Sequence, residues 1–146
     1  MTNAERLLAA FLRVGGTVCA LAIVAVFMPR EWMALCHERL GLGALPEAPI
    51  VEYLARSTAL FYAIFGIVLW LLARDVRRLG GTIAAVSMGI MVCGAILLMI
   101  DLRAGLPPWW IVVEGPYVIG IGAVMLILAL RSRRSAAQRP VRAIEL

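Results

Sequence analysis

The chain has 146 residues, of which 63% are hydrophobic, and its mean hydropathy is +0.94. The apolar residues come in long blocks, which excludes an ordinary soluble domain and indicates a multi-pass membrane protein. The formal net charge is +5, but the basic residues lie in short clusters beside the apolar blocks. The charge therefore reflects membrane topology, and we expect the lipid bilayer, not nucleic acid, as the partner.

The first predicted membrane helix covers residues 7–28, and Pro29 ends it. No small-residue cleavage site follows this run, so we expect a retained helix and not a signal peptide. Residues 30–40 place apolar and charged side chains on different sides of a helix, which predicts a short interfacial helix in the first outer loop. Glycines and prolines in residues 41–49 then predict a turn.

Three further membrane helices are predicted over residues 50–73, 82–100 and 109–130. The connection between the first two of these is a short basic turn, which requires antiparallel neighbours. The last helix follows a Pro-Pro-Trp-Trp sequence that suits the membrane interface. The predicted fold is thus an all-α integral membrane four-helix antiparallel bundle, spanning residues 1–130, with a basic cytoplasmic tail at residues 131–146.

Small residues recur every four positions and predict close helix packing. The third helix carries the longest such series, and the first and fourth helices offer shorter ones. These residues could pack inside the chain or between chains, and the sequence leaves both possibilities open. They are Gly81, Ala85, Gly89 and Cys93 on the third helix, Gly16 and Ala20 on the first, and Pro116 and Gly120 on the fourth.

The arginines are distributed unequally between the two sides of the predicted bundle. Four lie on one side together with most of the acidic residues, namely Arg30, Arg39, Arg56 and Arg103. Ten lie on the other side: Arg6, Arg13, Arg74, Arg77, Arg78, Arg131, Arg133, Arg134, Arg139 and Arg142. The positive-inside rule therefore places both termini in the cytoplasm, and we expect a bacterial inner membrane.

The predicted topology brings a polar cluster to one level on the outer side of the membrane. Glu52 and Arg56 are four residues apart, so they share a helix face and favour an ion pair. The cluster has two interpretations: a pocket that binds a small polar ligand or relays protons, or a set of ordinary ion pairs at helix ends. The candidate residues are Glu52, Arg56, Asp101, Arg103, Glu114, His37, Tyr53 and Tyr62.

Chemistry that needs a metal or cofactor has little support in the sequence. The chain has one histidine and three cysteines, with no CxxC motif and no Ser/His/Asp arrangement. We expect no metal, no cofactor and no catalytic residue. The first functional hypothesis is a non-enzymatic accessory or interaction subunit that binds other membrane subunits or itself. The second is a small-solute or proton-handling protein, and the third is a redox-linked membrane enzyme subunit.

The helix layout resembles a known group of proteins. An arginine-flanked first helix, a second helix that opens with Glu52 and runs into a basic turn, and a glycine-rich third and fourth pair are similar to DoxX-like small four-helix bacterial membrane proteins. The resemblance covers residues 7–130 and is one of layout. It implies an accessory membrane subunit in a quinone- or thiol-linked redox system, and no functional residue is transferred from it.

Overall fold

The computed structural model describes residues 1–137, and the side chains of residues 1–134, and all regular structure in this part is helical. Four stretches are long and apolar enough to cross a membrane: Asn3–Val26, Pro49–Leu72, Gly80–Ala104 and Pro108–Arg134. This confirms the predicted all-α fold and supports a multi-pass membrane protein. The helices in chain order are α1 (Asn3–Ala20), α2 (Ile23–Val26), α3 (Arg30–Arg39), α4 (Pro49–Leu72), α5 (Gly80–Ala104) and α6 (Pro108–Ala137).

The first membrane-crossing stretch is interrupted near its end, where α1 gives way to α2. Beyond Ala20 the backbone changes to shorter hydrogen bonds, such as that from the N–H of Ala22 to the carbonyl of Cys19 at 3.1 Å. This three-residue spacing is that of a 3₁₀ turn. Pro29 then leaves the helical conformation, with ψ at 146°, and separates α2 from α3, the helix predicted over residues 30–40.

The last two helices are longer than the sequence predicted. α5 continues to Ala104 because the chain first reverses at Gly105, whose φ of 67° is a left-handed conformation that suits glycine. α6 continues to Ala137, since no glycine or proline interrupts residues 131–137. The first part of the predicted tail is therefore helical, and residues 138–146 lie outside the described residues.

The chain divides into two compact units. The first unit combines Met1–Arg13 with the chain from Leu71 onward, and the second unit is Val14–Trp70. All the largest fully buried side chains of the described residues belong to the first unit. They are Leu8, Leu12, Ile83, Met125, Glu5, Ser87 and Ser132.

Within the first unit, α5 and α6 pack along a line that we call the hairpin seam. Buried residues recur at seven-residue intervals on both helices, which keeps them on one side of each helix. The seam residues are Gly80, Ser87, Gly94 and Asp101 on α5, and Gly115, Gly122 and Ala129 on α6.

Glycines are required in the seam because the two backbones approach closely. A Cβ atom added to Gly94 would lie 2.8 Å from Cγ1 of Ile119 and 3.0 Å from the carbonyl oxygen of Gly115. One added to Gly115 would lie 2.6 Å from Cβ of Leu98. Contacts this short leave no room for a side chain, so the seam depends on small residues as membrane helix pairs commonly do.

The second unit contains a similar close approach between α1 and α4. A Cβ atom on Gly66 would lie 2.5 Å from both the backbone nitrogen of Ala20 and the carbonyl oxygen of Gly16. The indole N–H of Trp70 also donates to Oγ1 of Thr17 at 3.1 Å. Gly16 and Ala20 therefore pack against α4 inside this unit.

Candidate functional site

Arg56 is the most highly connected member of the predicted polar cluster. Its Nε and Nη2 atoms donate to Oε1 of Glu52, at 3.0 Å and 2.6 Å. Nη2 also donates to the carbonyl of Met28 at 3.1 Å, and Nη1 donates to the carbonyl of Val26. The predicted pairing of Glu52 with Arg56 is thus confirmed, and the same guanidinium binds the chain at the end of α2.

The Arg56 guanidinium caps the C-terminal end of the first membrane-crossing stretch, at α2, because it binds the backbone carbonyls there. The last carbonyls of a helix have no partners within it, and a cation placed there also interacts favourably with the helix dipole. Arg30 completes the group, because its Nη1 lies 3.6 Å from Oε2 of Glu52 and its Nη2 donates to the carbonyl of Pro46 at 3.0 Å. Glu52 and the two arginines therefore connect α2, α3 and α4 within the second unit.

The loop between α3 and α4 holds the only histidine of the chain. Nδ1 of His37 lies 2.9 Å from the carbonyl oxygen of Gly43, at a turn where Gly41 and Gly43 have φ angles of 73° and 83°. This hydrogen bond stabilises the loop. Tyr53 and Tyr62, on α4, are both exposed.

The remaining acidic members of the cluster belong to the first unit. Glu114 is half-buried on α6 and accepts a hydrogen bond from the indole N–H of Trp110, one turn earlier. Trp110 also packs edge-on against Trp109, with ring centroids 5.3 Å apart. Asp101 is buried in the last turn of α5, and Arg103, two residues on, is exposed.

The structure thus divides the candidate residues between the two units. Glu52, Arg56, His37 and the two tyrosines lie in the second unit, and Asp101, Arg103 and Glu114 lie in the first. Within each unit, Glu52 and Glu114 have partners from the same helix. That the whole cluster converges on one pocket stays a prediction.

The predicted packing residues also separate into two groups. Gly16 packs against α4, as described above, but Gly81, Gly89 and Gly120 have no atom within 4 Å of an added Cβ. Ala85 and Cys93 are exposed as well. Intrachain packing therefore does not occupy these five positions, and association between chains stays a prediction for them.

One buried polar group was not anticipated from the sequence. Glu5 is only 1% exposed and accepts hydrogen bonds from the backbone N–H of Thr2 and from Arg77, while Oγ1 of Thr2 accepts from the N–H of Glu5. The Thr-x-x-Glu spacing is that of a capping box and could have identified the start of α1 at Asn3. The hydrogen bond to Glu5 raises the pKa of the Arg77 guanidinium above its ordinary value.

No known protein family, characterised protein or solved structure matches this chain. Within the described residues, no group of three or more His, Cys, Asp or Glu side chains is placed to hold a metal ion.

Proposed function

We propose that this protein is a non-enzymatic integral membrane protein that acts as an interaction subunit and binds a partner membrane helix through α5. The contact surface is the small-residue face, which consists of Gly81, Ala85, Gly89 and Cys93. The observation that carries the proposal is that this face is exposed along its whole length, while different residues of the same helix form the hairpin seam.

The two faces diverge most in the middle of α5. At about 100° per residue, Ala85 and Gly89 each lie roughly 160° around the helix from the seam residue Ser87, and at the ends of the face the separation is roughly 100°. Membrane helices associate mainly by close packing and hydrogen bonding, since lipid tails are as apolar as the side chains, and small residues allow the closest approach. The small-residue face therefore suits a second helix better than it suits lipid alone.

An accessory role also agrees with the helix layout and the charge distribution. The resemblance to DoxX-like proteins supports an accessory subunit of a membrane complex. The excess of arginine at the termini and in the turn between α4 and α5 supports an orientation with both termini in the cytoplasm. We place the protein in a bacterial inner membrane on the same basis.

A matched pair of substitutions on α5 tests the contact surface. Ala85 and Ala95 are both exposed but lie about 80° apart around the helix, and only Ala85 belongs to the small-residue face. Ala85→Leu should block helix association, and Ala95→Leu should not. The readout is the size of the native complex extracted from membranes, together with thiol crosslinking through Cys93 in a chain that also carries Cys19→Ser and Cys36→Ser.

The outcomes separate the possible partners. A crosslinked dimer that is lost with Ala85→Leu and kept with Ala95→Leu identifies a second copy of this chain. A larger native complex with the same dependence, but without the dimer, identifies another membrane subunit. A monomeric wild type, or complexes that respond equally to both substitutions, would rule out the small-residue face as the contact.

A further inference from the structure

The carboxyl group of Asp101 occupies the end of the hairpin seam without a full set of partners. The residue is 3% exposed, and Oδ2 has no hydrogen-bond partner; it is the one buried side-chain polar atom of residues 1–134 in this condition. We infer that Asp101 is a proton-binding site, with a proton held on Oδ2. This inference does not depend on the proposed interaction surface.

Its position follows from the seam itself. Asp101 comes seven residues after Gly94, and Gly94 comes seven after Ser87, so the acid takes a place where the earlier residues are small. The contacts of Leu98 with Gly115 and of Gly94 with Ile119 fix the antiparallel register of α5 and α6. About one turn further, that register brings Asp101 level with Val112, in the second turn of α6.

The backbone holds Asp101 at this level. Its carbonyl oxygen accepts from the N–H of Gly105, which ends the helix, and from the N–H of Leu106 at 3.4 Å. The buried side chains of Ser87 and Glu5, in contrast, have polar partners. Ser87 donates to the carbonyl of Ile83 at 2.7 Å, and Glu5 binds Arg77.

The charged groups near Asp101 on α5 and α6 do not compensate a negative charge there. Arg103 is the one basic residue of α5, and it is exposed and makes no ion pair with Asp101. Glu114, only about half a turn further along α6, is itself acidic and accepts a hydrogen bond from Trp110. The C-terminal end of α5 also carries the negative end of its helix dipole.

A proton on the carboxyl group of Asp101 removes the uncompensated negative charge and needs no further ligand. An ionised carboxylate that is buried without a partner is costly, and protonation removes the charge. A bound metal ion would need several oxygen, nitrogen or sulfur ligands, and the described residues offer no group of three such acidic, His or Cys side chains.

Infrared spectroscopy of the full chain in lipid vesicles tests the protonation state at neutral pH. We expect the wild type to show the C=O stretching band of a carboxylic acid, and Asp101→Asn to lose that band, since asparagine copies the size of the neutral acid. Glu114→Gln and Glu38→Gln should keep it. A wild-type-minus-variant difference confined to the carboxylate bands would overturn the inference. So would loss of the acid band on adding sodium at constant pH, which would identify a cation site.

A second measurement needs no variant and applies if Asp101→Asn fails to fold. Dicyclohexylcarbodiimide adds the O–H of a protonated carboxyl across its C=N bond in an apolar environment, and the adduct is located by peptide mass mapping. We expect an adduct on Asp101 at neutral pH, and none on ion-paired Glu5 or exposed Glu38. If neither the adduct nor the acid band is found at Asp101, the residue is ionised and the inference is wrong.

Discussion

Arg77 donates two hydrogen bonds to Glu5, from Nε to Oε1 at 3.2 Å and from Nη2 to Oε2 at 3.1 Å, across 72 positions of the chain. The carboxylate is buried while half of the arginine side chain is exposed. The pair therefore fixes the start of α1 to the turn between α4 and α5. It joins the two sequence segments that make up the first unit.

Breaking this pair from the arginine side should be the more damaging change. Arg77→Gln removes the guanidinium from a buried carboxylate and leaves it only the N-terminal ammonium, 3.9 Å away, so we expect a clearly lower melting temperature in detergent micelles. Glu5→Gln combined with Arg77→Gln should recover part of the loss, because the unpaired charge is then gone. Glu38→Gln, at an exposed site, serves as the control. Strictly additive effects in this double-mutant cycle would show that the two side chains do not interact.

Arg56 should not be replaceable by lysine. A guanidinium can donate in several directions at once and here reaches Glu52 and the carbonyls of Val26 and Met28, whereas an ammonium group on a different stem cannot match that geometry. With Arg56→Lys we expect amide hydrogen exchange in residues 24–28 to become roughly tenfold faster, from the loss of about 1.5 kcal/mol. Arg39→Lys, on exposed α3, should leave it unchanged. Equal exchange in both variants would exclude Arg56 as the cap of α2.

The same glycine-to-alanine substitution should destabilise the protein on one face of α5 and not on the other. Gly94→Ala places a methyl group within 3 Å of Ile119, so we expect a loss of about 1 to 3 kcal/mol of unfolding free energy in mixed micelles. Gly89→Ala meets no atom within 4 Å and should cause no loss in the isolated chain. Equal stability of the two variants would contradict the assignment of the hairpin seam.

The orientation proposed from the arginines can be tested with reporters. A reporter fused after Leu146 should be active in the cytoplasm, and one inserted at Gly43, between α3 and α4, should be active on the outer side. Replacing Arg74, Arg77 and Arg78 by glutamine should weaken this preference, because arginines near membrane helix ends set the topology. A reporter after Leu146 that is located outside the cytoplasm would refute the orientation.

The sequence by itself determined the fold class and the local pairs. Long apolar blocks predicted four membrane-crossing helices, and the described residues contain four helices that are long and apolar enough to cross a membrane. The four-residue spacing of Glu52 and Arg56 predicted their ion pair, because neighbours on a helix face meet whatever the rest of the chain does. The Thr-x-x-Glu spacing at Thr2 and Glu5 is likewise a local signal, and it marks the start of α1.

Only the tertiary structure decided which face of each helix is buried. A four-residue repeat such as Gly81, Ala85 and Gly89 drifts about 40° around the helix at each step, while a seven-residue repeat drifts only about 20° over two turns. Helix α6 packs along the seven-residue repeat of α5, so Gly80, Ser87 and Gly94 lie in the hairpin seam. Asp101 continues the same repeat and is therefore buried at its end. The contacts of Arg56 with Val26 and Met28 likewise depend on how distant segments pack, and no local spacing specifies them.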